Sequence, residues 1–196
     1  MNAAIDAVPT KYQQDPGLLY ERAKWRRRKK TKDYALPIYM AIREAPTSAV
    51  GQERMWREKR IMTYWAIKEG KYKEAYQLTL HHGAESGAAF YEPEFLGGWL
   101  ALTQMREPER AMRHFERLRD GVSTPISLAR AHYWIGRTHE LARDGQQDVA
   151  YRQAAQYPNT YYGMLAGLEV DGGAARVTRA RTPFIRNGER VVSIET

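Results

Sequence analysis

The sequence predicts an all-α fold: a right-handed superhelix, or solenoid, of antiparallel helical hairpins of tetratricopeptide-like type, with about nine helices. Two observations carry the prediction. Trp25, Trp65, Trp99 and Trp134 recur at spacings of 40, 34 and 35 residues, each within a helical pattern. Each is followed in the next helical pattern by an alanine: Ala35, Ala75, Ala111 and Ala150. A repeat of roughly 34 to 45 residues with two helices per unit is the signature of a stack in which each hairpin buries its apolar face against its neighbours.

The elements follow in order. Asp15-Pro16 starts a first helix, because Asp caps and Pro suits the first helical position. That helix runs to about Lys30, and Tyr34 to Glu44 forms its partner, with Pro37 in the first turn. A third helix spans about Gln52 to Glu69, ended by Gly70. The fourth, Tyr72 to His82, places Tyr72, Ala75, Tyr76, Thr79 and Leu80 on one face, with Gly83 as its C-cap. Ala84 to Glu92 reads as a loop, and a fifth helix as Pro93 to Met105. Gly97 and Gly98 lie inside the fifth, where each glycine costs about 1 kcal/mol against alanine, so a neighbouring helix should approach closely there. Pro108 to Asp120 is a sixth, with Ala111, Phe115 and Leu118 on one face. Ser123-Thr124-Pro125 is a strong start for a seventh, which runs to about Arg143. Gln147 to Gln156 and Thr160 to Val170 complete the set. Residues 1–14 read as an extension, 15–170 as the helical domain and 171–196 as a loose basic tail. In the tail Asn187-Gly188 suits a β-hairpin turn, although a lone hairpin is marginal in water.

Composition narrows the function classes. A hydrophobic content of 43% opposes general disorder. Apolar runs fall far short of the ~20 residues that span a bilayer, so no transmembrane segment is expected. Met1 to Thr10 lacks the pattern of a signal peptide. The absence of cysteine excludes disulfides and thiolate metal sites. Net charge is +8, which favours a polyanionic partner: nucleic acid, an anionic membrane or an acidic polymer. The densest basic cluster runs from Arg22 to Lys32, and Arg22, Arg26, Arg27 and Arg28 are the candidate binding residues. Trp25 beside Arg26 to Arg28 is where aromatic and basic residues interleave as on a nucleic-acid surface.

Chemistry is hard to find. His81-His82-x-x-Glu85 lacks the i, i+4 histidine spacing of a helical zinc pair. His132 and His139, with Glu140 beside them, read as structural histidines. There is no glycine-rich phosphate loop after a strand and no Gly-x-Ser-x-Gly elbow. No cofactor, metal ligand or catalytic residue is assigned.

Several stretches stand together: Asp15-Pro-Gly-Leu-Leu-Tyr-Glu-Arg-Ala-Lys-Trp-Arg-Arg-Arg28; Arg60 to His82 with Glu69-Gly-Lys-Tyr-Lys-Glu-Ala-Tyr76; and Glu94-Phe-Leu-Gly-Gly-Trp-Leu-Ala-Leu102 followed by Ala111-Met-Arg-His-Phe-Glu116. Val122-Ser-Thr-Pro-Ile-Ser127, Ala131-His-Tyr-Trp-Ile-Gly136 and Tyr157-Pro-Asn-Thr-Tyr-Tyr-Gly163 complete the set. Over about Asp15 to Glu169 they resemble the helical superhelix of soluble lytic murein transglycosylases. The resemblance implies a periplasmic α-superhelix that precedes a lysozyme-like domain. In that family the catalytic domain cleaves the MurNAc–GlcNAc bond of peptidoglycan and leaves a 1,6-anhydro product. Its single catalytic Glu lies in a Glu-Ser motif followed by a Gly-Leu-Met-Gln stretch. Here the one Glu-Ser, Glu85-Ser86, lies inside the helical region, and Gly-Leu-Met-Gln is absent. Residues 171–196 are too few for that domain. The expectation is therefore a non-catalytic scaffold in cell-wall turnover, which meets peptidoglycan glycan and stem peptides beside a catalytic domain or protein partner. A tetratricopeptide-like adaptor is the main alternative, and a basic nucleic-acid binder a less favoured one.

Overall fold

Asp15 accepts a hydrogen bond from the backbone N–H of Leu18 at 2.9 Å, and Pro16 fills the first helical position, so the first helix starts where the sequence places it. The computed structural model describes residues 7–170, and the tail hairpin expected at Asn187-Gly188 lies outside them. After a 3₁₀ turn at Thr10–Tyr12 come α1 (Pro16–Arg28), α2 (Lys32–Ala41), α3 (Ala49–Lys68), α4 (Tyr72–Thr79) and α5 (Ala88–Thr103). Then follow α6 (Pro108–Asp120), α7 (Pro125–Ala142), α8 (Gln147–Ala155) and α9 (Tyr161–Val170). No strand occurs among the described residues.

Every helix packs on its chain neighbours. Contacts also link α2 to α4, α3 to α5, α5 to α7 and α7 to α9. Ala35, Ala75, Ala111 and Ala150, one on each even helix, are all buried. On the odd helices Trp65, Trp99 and Trp134 pack against one central cluster that runs from Ala66 through Leu100 and Phe115 to Ala150. Trp25 departs from the pattern at 38% exposure and joins none of the core clusters. A second cluster joins α1, α2 and α3 through Leu19, Ala23, Tyr39 and Met62, and Trp65 touches both.

Gly97 and Gly98 do face α6. A Cβ on Gly98 would come within 2.6 Å of the Phe115 ring, and one on Gly97 within 2.8 Å of the His114 ring. The turn inside each of the four hairpins holds a left-handed residue, Lys30, Gly70, Arg106 or Arg143, with φ between 55° and 70°, and the last turn adds Gly145 at 76°. Glycine is the usual occupant of such a place, yet three of the four carry a long basic side chain.

Several boundaries differ from the sequence reading. The fourth helix ends at Thr79, not His82. Leu80 turns extended and His81 left-handed, so Gly83 does not cap it. The Lys59 ammonium, donating to the Leu80 carbonyl at 3.1 Å, satisfies that helix end in its place. The expected loop at Ala84 to Glu92 is half helix: α5 begins at Ala88 and carries Pro93 inside it. An interior proline removes one backbone hydrogen bond, and burial of Ala89 and Phe90 against Trp56 compensates. In the same way α2 starts at Lys32, keeps Pro37 inside, and stops at Ala41 because Ile42 turns extended.

Candidate functional site: an arginine-lined recess

The helix α1 has two working faces. Leu19 and Ala23 turn into the core. Tyr20, Lys24 and Arg28, one turn apart, line a recess of about 290 Å³ together with Glu21. Across it α3 presents Arg54, Arg57 and Glu58.

Glu58 forms the floor. Arg27 grips it in a bidentate pair, Nε to Oε2 at 2.6 Å and Nη2 to Oε1 at 2.9 Å, and the Tyr39 hydroxyl donates to Oε2 at 3.0 Å. The carboxylate is 6% exposed and fully engaged, so it ties α1, α2 and α3 together and neutralises nothing else. Burial, reinforced by the Glu58 charge, pushes the Tyr39 phenol above its ordinary range, so it stays a donor. Glu21 pairs with Lys24 at 3.2 Å. Arg28, Arg54 and Arg57 are exposed and form no ion pair among the described residues. The two acids of the lining, Glu21 and Glu58, are already paired with Lys24 and Arg27, so the three remaining guanidiniums attract an anionic group.

The four arginines singled out in the sequence therefore separate. Arg28 lines the recess. Arg27 turns inward to hold Glu58. Arg26 lies over the Tyr34 ring, its guanidinium carbon 5.9 Å from the centroid. Arg22 is half-buried and is not among the lining residues. Arg54 and Arg57 were missed. They stand 26 or more residues from Arg28 in the chain, inside a helix of mixed charge, and only the pairing of α1 with α3 gathers them.

A second charged constellation was also missed. Glu94, with no exposed surface, receives His82 Nε2 at 2.8 Å, His114 Nδ1 at 2.6 Å and Arg117 Nη1 at 2.9 Å. The geometry shows which ring nitrogen of each histidine donates to Glu94. The Ala84 N–H donates to His82 Nδ1, leaving Nε2–H for Glu94, and the Tyr76 hydroxyl meets His114 Nε2 at 3.2 Å, leaving Nδ1–H for Glu94. Burial opposes ionisation of Glu94, but the histidine donors and the Arg117 charge outweigh it and hold the carboxyl at about 2. A glycosidic general acid needs the opposite shift, so this network is read as a tie between α4, α5 and α6. Its signal lay in the face shared by Glu94, Gly97 and Gly98: a charge on the face that approaches a neighbour must meet a partner there.

The other singled-out residues are scattered. His81 points to Arg43 at 3.4 Å while His82 turns inward. Glu85 and Ser86 are exposed in the α4–α5 connection. His139 Nδ1 pairs with Asp144 at 2.8 Å, and His132 is half-buried. No group of three or more ligating side chains among the described residues is arranged to hold a metal ion, and no described helix is long and apolar enough to cross a membrane. No family model, curated protein or solved structure matches the chain.

Proposed function

We propose that this chain is the non-catalytic superhelical portion of a peptidoglycan lytic transglycosylase, a periplasmic scaffold that holds anionic cell-wall polymer beside a catalytic domain. The observation that carries the reading is the recess with Arg28, Arg54 and Arg57 unpaired on its walls. Muramyl and stem-peptide carboxylates are the groups such a recess suits, since guanidinium and carboxylate match in bidentate geometry. The resemblance of Asp15 to Glu169 to that family supplies the identity of the polymer. The tryptophan–alanine hairpins, with odd helices touching odd ones, support a right-handed superhelical stack of tetratricopeptide-like type.

The test is retention of the purified chain on isolated sacculi. Replacement of Arg28, Arg54 and Arg57 together by Gln should abolish retention while the circular dichroism spectrum stays helical. Retention equal to the unmodified chain would remove the recess from the account.

A second reading draws on a neighbouring recess of about 270 Å³. Pro16, Tyr20, Ala45, Pro46 and Met55 give it an apolar wall. That lining suits an apolar segment of a protein partner, as in an adaptor. Salt-insensitive binding of a protein through this wall, unchanged when Arg28 and Arg57, which do not line it, are replaced by Gln, would favour it.

A further inference from the structure

A larger cleft, about 640 Å³, lies where α5 and α7 end. It is within the size range of sites for small ligands and short peptide ends. It is separate from the arginine recess and does not rest on the cell-wall reading.

Its lining is rich in donors and poor in acceptors. Arg106 follows α5 and Arg143 caps α7, and both side chains are exposed and form no ion pair among the described residues. Their backbones are left-handed, with φ of 55° and 57°, in equivalent turns of successive hairpins. That conformation disfavours a side chain with a Cβ, and Gly70 fills the corresponding place one hairpin earlier. Arg137 holds the one carboxylate of the lining, Glu140, at 2.8 Å. Trp134 also lines the cleft, and its indole N–H is buried and meets no acceptor among the described residues. Leu102 and Leu141 add apolar surface. Basic residues near helix C-termini can simply answer the helix dipole, but that explanation falls short here. Each helix end carries only about half a negative charge, whereas Arg106 and Arg143 bring a full positive charge each.

We infer that this cleft binds a carboxylate borne on a small apolar body, such as the free C-terminus of a peptide ending in small residues. Arg106 and Arg143 would engage the carboxylate oxygens, and Leu102, Leu141 and the Trp134 ring, which line the cleft, would meet the apolar part.

The full chain, labelled with ¹⁵N, is titrated with acetyl-alanyl-alanine while the Trp134 indole resonance is followed, that peak being assigned by its loss in Trp134→Phe. The expected result is a saturable shift of this resonance. The carboxamide of the same dipeptide should bind about tenfold more weakly or not at all, because it lacks the charge. Arg106→Gln with Arg143→Gln should weaken binding by a similar factor, while Arg28→Gln with Arg54→Gln should leave it unchanged. Failure of the resonance to shift at millimolar peptide would overturn the inference. So would equal binding of the carboxamide, equal binding of inorganic phosphate, or an undiminished shift in the Arg106/Arg143 variant.

Discussion

Glu94 shows how a single buried charge is accommodated. Four polar side chains, from α4, the α4–α5 connection and α6, converge on it directly or through one ring, and its carboxyl is held at about 2. Its folded value lies below the ordinary 4.5, so it contributes stability above that pH and loses the contribution as pH falls from about 4.5 to about 2. Glu94→Gln should therefore be less stable at pH 7 by roughly 1–3 kcal/mol and should lack that part of the acid-induced loss, as thermal melts across pH 7 to 2 would show. The Arg27–Glu58 pair makes a harsher prediction. Arg27→Met leaves a carboxylate that is 6% exposed with one neutral donor, a change expected to cost about 3–5 kcal/mol in urea unfolding. Adding Glu58→Met should restore much of it, and no restoration would contradict the pairing. These two sites explain what the sequence concealed. A dense run of arginines between Arg22 and Arg28 announces a basic face, but it does not say that Arg27 points inward or that Arg54 and Arg57 join Arg28. Those facts depend on which faces of α1 and α3 meet, and that is a long-range matter.

At the scale of elements, the sequence was most legible where capping chemistry was explicit. Asp15-Pro16 and Thr124-Pro125 mark helix starts to the residue, since a side-chain acceptor and a preset φ act locally. It was least legible around α4 and α5. There Lys59, from a different helix, replaces the local cap, and buried Ala89 and Phe90 extend a helix through Pro93. Glycines make the same distinction quantitative. Gly98→Ala would press a methyl against the buried Phe115 ring, and should destabilise by about 1–3 kcal/mol. Gly167→Ala, in α9 with open space around it, should stabilise by about 0.4–1 kcal/mol. Paired denaturant curves read both signs. Equal small effects would mean that α5 and α6 do not approach as closely as described.

At the scale of the whole molecule, hairpins that rely on neighbours leave most of their charged residues on surfaces, and the surplus here is positive. The all-helical fold was legible because tryptophan and alanine recur together in alternate helices. The site was only half legible because a recess needs two helices. We propose that this positive surface holds cell-wall polymer through Arg28, Arg54 and Arg57 and is not a general polyanion binder. Co-sedimentation with purified sacculi across a salt series, with duplex DNA as competitor, tests it most directly. Retention should weaken with salt, resist excess DNA and disappear in the triple arginine variant. Absence of retention, or its immediate loss to DNA, would contradict it.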